Sequence, residues 1–165
     1  MANYIAEYDA LIETAGEMMG FIPDSISAKK PAPGKWSPRE IVGHLIDSAT
    51  HNHHRIIIVL CGNGQLCELS GYNQDEWVRV NAYQNTQWRA LIQFWKSYNQ
   101  HLCRLIKSLP EETRQKQNIR LLYPLMDSQT LPEGGLISLD CLMEDYVIHL
   151  KHHLRQIVSF SRFSE

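Results

Sequence analysis

The sequence predicts an all-α protein, a four-helix bundle around one core, and three observations carry that expectation. Apolar residues recur at spacings of three and four through four separate stretches, the period of a helix that buries one face. No stretch alternates apolar and polar residues as a half-buried strand does. Clusters of proline and glycine fall between the periodic stretches, where they act as connections.

Tyr4, Ile5, Tyr8, Leu11, Ile12, Ala15, Met18 and Met19 give a first amphipathic helix ending near Gly20. Phe21 to Trp36 holds Pro23, Pro31, Pro33 and Gly34 and reads as an extended connection. Ser37-Pro38-Arg39-Glu40 then offers a capping box, with Ser at N-cap, Pro at N1 and Glu at N3, and opens a long helix to about Leu60. Its core arc is Ile41, Val42, Leu45, Ala49, Ile56 and Val59. Gly62 to Tyr72, with three glycines, is a loop, and Asp75-Glu76-Trp77 opens a short helix towards Tyr83. Asn85 or Thr86 is placed to cap a third long helix, on which Trp88, Leu91, Ile92, Trp95, Tyr98, Leu102, Leu105 and Ile106 share a face before Pro110. From Pro110 to Gly135 the chain is irregular, interrupted by Pro124, Pro132 and Gly134-Gly135. The last helix, Ser138 to Phe163, carries Leu139, Met143, Tyr146, Leu150, Ile157 and Phe160 on one arc. With no internal repeat and no domain boundary, residues 1–165 read as a single domain.

Composition narrows the function classes. A formal net charge of -2 with Lys and Arg evenly scattered leaves no basic stripe to track phosphates, so no nucleic-acid partner is expected. Glu7, Asp9, Glu13 and Glu17 argue against a signal peptide at the start, and no apolar run is long enough to span a membrane, so a cytoplasmic protein with no membrane partner is the expectation. Cys61, Cys67, Cys103 and Cys141 form no CxxC pair and read as reduced, partly buried thiols.

The histidines carry the chemistry. On the last helix His153 falls inside the apolar arc, His149 at its border, and His152 on the far polar side with Asp145. His149 and His153, one turn apart, are within reach of one metal ion, although such a pair also arises as one hydrogen-bonded core histidine and one surface histidine. On the second long helix His44 lies at the border of the core arc and is the candidate third ligand. His51 is about 10 Å further along the axis, and His51, His53 and His54 read as a solvated face. Three neutral nitrogens suit a divalent ion, zinc or nickel, and leave positions open for water or substrate. Asp145 and Gln156 flank the pair, as ligand-orienting groups or as solvated polar residues. Ser48 and Arg55 share the His44 face, where Arg55 holds an anionic substrate or pairs with a carboxylate. Trp36, Trp77, Trp88 and Trp95 read as core and loop anchors.

Three runs also resemble a known family. Trp36 to Ser48 contains WSxxExxxH ending on His44; Tyr72-Asn73-Gln74-Asp75-Glu76-Trp77-Val78 follows; and Asp145 to Ile157 contains HxxHHxxQI from His149. Together they are similar to the DinB/YfiT-like superfamily over nearly the whole chain. The resemblance implies a four-helix bundle with a long crossover connection, a divalent metal held by His44, His149 and His153, and often a homodimer. Relatives include thiol-dependent transferases that use low-molecular-weight bacterial thiols such as bacillithiol and mycothiol, and a hydrolase branch. The implied function is therefore metal-dependent thiol S-transfer, with a small-molecule thiol and an electrophilic substrate as partners. Metal-dependent hydrolysis and a non-catalytic metal-binding helical dimer are the alternatives. No separate Ser or Cys nucleophile motif is present, so activation falls to the metal.

Overall fold

The computed structural model describes residues 3–125 and 135–162. Four long helices build it: α1 (Asn3–Gly20), α3 (Pro38–Cys61), α5 (Trp88–Ser108) and α7 (Leu139–Arg162). Between them lie α2 (Asp24–Ser27), β1 (Cys67–Leu69), α4 (Gln74–Asn81), a 3-10 turn (Tyr83–Asn85), α6 (Glu111–Gln115) and β2 (Ile119–Leu121). Each long helix packs on two others in the cyclic order α1, α5, α3, α7. Side-chain pairs give the directions. Asp9 meets Lys107 and Glu13 meets Lys96, so α1 and α5 are antiparallel. The starts of α3 and α5 meet at Asp24, which pairs with Arg39 and accepts from Trp88 N–H, and further along His53 meets Tyr98 and His101, so α3 and α5 run the same way.

A parallel pair of consecutive long helices requires the chain between them to travel back along the bundle, and it does so along α3. Ser70 meets Arg55, Tyr72 and Trp77 meet His51, Asn81 and Tyr83 meet Asp47, and Gln84 meets Arg39 and Ser37. This crossover covers the polar side of α3, which explains why Arg39, Asp47, Ser48, Asn52 and Arg55 are buried, while Glu40 is covered by Ser37 and Lys30 and His44 by Trp36 and α7. Each buried polar group then needs a partner. Arg39 finds Ser27, the Asp24 carboxylate and the Gln84 carbonyl; Asp47 accepts from Asn81 and Tyr83. On the other side of the bundle Asn99 accepts from both the Tyr8 and Tyr146 hydroxyls and ties α1, α5 and α7 together.

The α3 capping box forms as its sequence requires, with Ser37 N–H donating to Glu40 and Glu40 N–H donating to the Ser37 hydroxyl. Asn73 caps α4 and Ser138 accepts from Cys141 N–H at the start of α7. Three local expectations are corrected. Asn85 and Thr86 do not cap α5, because Tyr83–Asn85 close a 3-10 turn upstream; the N-cap position is Gln87, which makes no side-chain cap. Asp24–Ser27 forms a helical turn inside the connection expected to be extended, held there by Arg39. Cys67–Leu69 and Ile119–Leu121, expected to be irregular, pair as a two-stranded parallel sheet; three-residue strands are too short for alternation to register. Pro132, Gly134 and the end of the last helix at Phe163 lie outside the described residues. No described helix is long and apolar enough to cross a membrane.

The crossover lies close against α3 at Gly43, where a Cβ would overlap the Tyr83 ring. Gly43→Ala is expected to cost about 1–3 kcal/mol. Gly20→Ala, at a position with nothing within 4 Å of a new Cβ, is expected to change stability by less than about 0.5 kcal/mol. Urea midpoints of the two variants check the contrast.

Candidate metal centre

Arg55 and Asn52 share a cavity with Leu142 and Asp145, while His44 lies beside His149 and His153, so α3 and α7 cross antiparallel. That crossing brings the three imidazoles of His44, His149 and His153 together. Their ring centroids form a nearly equilateral triangle of 5.0, 4.7 and 4.6 Å. One nitrogen from each lies within 4.8 Å of the other two, and the Nε2 atoms of His44 and His149 are 3.0 Å apart. Among the described residues no cysteine or carboxylate joins this group.

Neighbouring side chains set which nitrogen each ring offers. The Gln156 amide donates to His152 Nε2, so its oxygen faces His153 Nδ1 at 3.0 Å and accepts the proton there. His153 Nε2 is thereby left as a bare lone pair. Ser48 Oγ stands 3.5 Å from His149 Nδ1 and faces the same side of that ring. The third imidazole, His44, is fully buried, packs against Trp36 at 4.9 Å between centroids, and its Nδ1 finds no partner among the described residues. Burial, reinforced by mutual repulsion, pushes His44 down to about 2 and His149 down to about 3. His153 is also lowered by burial, with the Gln156 bond opposing. All three rings are therefore neutral at pH 7, the form that donates to a metal. Three neutral nitrogens converging in a desolvated cleft fit a divalent ion; a fourth protein donor is absent among the described residues, which matches a site with open positions.

Two cavities flank the triangle. One, of about 250 Å³, is lined by His149 with Ser48, Arg55, Tyr72, Tyr123 and Asp145. The other, of about 640 Å³, is lined by His153 with Trp36, Ile41, Gln156, Lys35 and Phe160 and is mostly apolar.

The three histidines picked from spacing thus meet, but their surroundings differ from those expected. His44 and His149, placed at arc borders, are buried, while His153, placed inside the arc, is half-buried because it sits nearer the cleft mouth. Asp145, placed on the polar side with His152, lines the smaller cavity instead. Gln156 is a positioning contact for His153. The histidines expected on a solvated face are packed ones in two of three cases: His51 stacks on Trp77, and His53 meets the Tyr98 hydroxyl at 3.0 Å. Burial pushes His51 down to about 4. Trp36, expected as an anchor, is a wall of the centre. Tyr123 was beyond sequence reasoning, since nothing in an irregular stretch marks it; Tyr72 had a weak signal in its place beside Asn73 and Trp77.

A helical bundle with a crossover and an inward cluster of three histidines defines a class of metal-centre scaffolds. This chain belongs to the DinB superfamily, whose model matches residues 6–157. It is similar to an Oceanobacillus iheyensis protein named as a candidate metal-dependent hydrolase, 22% identical over 129 residues that span 78% of this chain and 67% of the relative. Its fold is that of YfiT from Bacillus subtilis, described as a candidate metal-dependent hydrolase with an unusual four-helix bundle topology. The TM-score is 0.76 at 16% identity, over 99% of this chain and 89% of the other.

Two outcomes are expected. His153→Ala removes most of the bound metal from untagged protein while His152→Ala keeps it, and Gln156→Leu weakens affinity about 10- to 100-fold; metal analysis after dialysis reads all three. In the metal-free protein, His44 and His149 are neutral when folded but protonate near 6.5 when unfolded. The stability they contribute is complete above pH 6.5 and is lost as pH falls towards 3, by up to about 1.4 kcal/mol per pH unit for each ring. Urea titrations of chelated protein from pH 7.5 to 5 check this, and a flat profile would contradict the burial of neutral rings.

Proposed function

We propose that the chain is a metal-dependent S-transferase, in which His44, His149 and His153 hold a divalent ion, zinc or nickel, between a site for a small thiol and a site for an electrophile. The observation that carries this reading is the pair of cavities, one against His149 and one against His153, since transfer between two molecules needs two subsites at one centre. When bound, the ion supplies Lewis acidity that lowers the pKa of a thiol or a water. The chain's own residues do the rest. Gln156 fixes the His153 tautomer, Trp36 holds the His44 ring and keeps bulk water from it, and the mostly apolar walls beside His153 receive the carbon skeleton of one reactant. With one nitrogen of each ring holding the ion, no imidazole lone pair would be free to take the thiol proton, which would leave to solvent or to Asp145, the carboxylate in the smaller cavity.

Hydrolysis is the second reading, favoured by the names of both similar proteins. It uses the same ion and needs only one of the cavities. The two are separated by loading untagged protein with zinc or nickel and offering monochlorobimane with bacillithiol, mycothiol or glutathione, beside an ester and amide panel without thiol. Conjugation with a thiol, abolished by His153→Ala, is the expected result; hydrolysis alone would replace transfer with the second reading. Chelation is expected to lower Tm by several degrees, because the ion binds the folded state alone. An unchanged Tm in fully demetallated protein would remove the ion from the fold's stability.

A further inference from the structure

Beside His149 the smaller cavity contains a cation in an unusual setting. Arg55 is 7% exposed and makes no ion pair among the described residues. One of its terminal nitrogens donates to the Ser70 carbonyl at 2.7 Å, the other reaches Asn52 Oδ1 at 3.4 Å, and its Cζ lies 4.4 Å from the centre of the Tyr123 ring. Its Nε–H, although buried, has no partner among the described residues. Two more buried donors share that condition. The hydroxyls of Tyr123 and Tyr72 find no acceptor with hydrogen-bonding geometry there, although the Tyr72 hydroxyl lies near Ser48. All three residues line the cavity that His149 also lines.

A buried guanidinium without a counter-ion is costly, and three desolvated donors around one small space each lose a hydrogen bond to water. Asp145 lines the same cavity and acts on Arg55 from beyond ion-pair distance, offsetting part of that cost. A ligand group with several acceptor atoms and a negative charge would satisfy all three donors at once, and a guanidinium edge suits a planar or tetrahedral oxyanion. At about 250 Å³ the cavity admits one small charged group with a short linker.

We infer that Arg55, Tyr72 and Tyr123 form an oxyanion subsite that selects a substrate bearing a carboxylate or phosphate group and holds it with its reactive end towards His149. This deepens the reading above and rests on it for placing the oxyanion beside the nucleophile. The subsite itself does not need the ion. The specificity that follows is for anionic reactants over their neutral amides.

The test is calorimetric titration of untagged, metal-loaded protein with succinate, inorganic phosphate and, as an uncharged control, succinamide. At least one anion is expected to bind and the diamide to bind at least tenfold more weakly; the tighter anion identifies which oxyanion the subsite takes. Tyr72→Phe and Tyr123→Phe, which keep the rings, are each expected to weaken the anion about tenfold, and Arg55→Gln about a hundredfold. His153→Ala, without metal, is expected to keep anion binding. Should Arg55→Gln fail to fold, the two phenylalanine variants decide. Equal binding of the diamide, no binding of either anion, or binding lost in His153→Ala but intact in the tyrosine variants would overturn the subsite, the last by placing the anion on the ion. A protein that holds no metal yet loses succinate through the tyrosine variants would instead refute the S-transferase reading and leave the subsite standing.

Discussion

The structure depends on burying one helix that is too polar to be buried alone. α3 lies between α5 and α7, and on its remaining side carries Arg39, Asp47, Ser48, Asn52 and Arg55. Each would be expensive inside a core without partners. The crossover supplies partners in reverse order along the helix, from Ser70 at Arg55 to Gln84 at Arg39. Hydrogen bonds therefore fix the path of a segment that has little apolar surface of its own. Trp36 and the two α7 imidazoles close over His44, and its burial keeps the ring neutral, which is the condition for a metal donor.

The second constraint is the antiparallel crossing of α3 and α7. Two imidazoles one turn apart are a property of α7 alone, but the third comes from a residue 105 positions earlier and arrives only if both helices keep their register. Register is held at one end by the Ser37 and Glu40 capping box and through the bundle by the Asn99, Tyr8 and Tyr146 cluster. Trp36 precedes the cap by one residue, so the device that starts α3 also delivers the ring that walls its histidine. Cap, wall and histidine lie within nine residues, Trp36 to His44.

The parts of the molecule governed by local periodicity could be read from residues alone. The four long helices follow from spacing on a wheel and the capping box from Ser37-Pro38-Arg39-Glu40, and the wheel together with the family resemblance picks out the three imidazoles that converge, His44, His149 and His153. Where a second segment covers a helix, the wheel misleads. His44 sits at the border of the arc yet is buried, because Trp36 and the α7 imidazoles close over it, and His51 is covered by Tyr72 and by Trp77 of α4. Tyr123 has no periodic context, and Arg55 reads equally as a holder of an anionic substrate or as the partner of a carboxylate until its neighbours are known. The strands failed to register for a different reason: three residues are less than two periods of alternation.

The division of labour between rods and loops has a consequence for divergence. The converging imidazole nitrogens come from long helices locked by the core, whereas Tyr72, Tyr123 and Trp36 come from the segments that join them. Connecting segments accept substitution and changes of length far more readily than packed helices do. A lineage can therefore exchange what surrounds the centre, and with it the molecules admitted, while the donors stay in place. One scaffold can in this way be retooled for new reactants by drift at its margins.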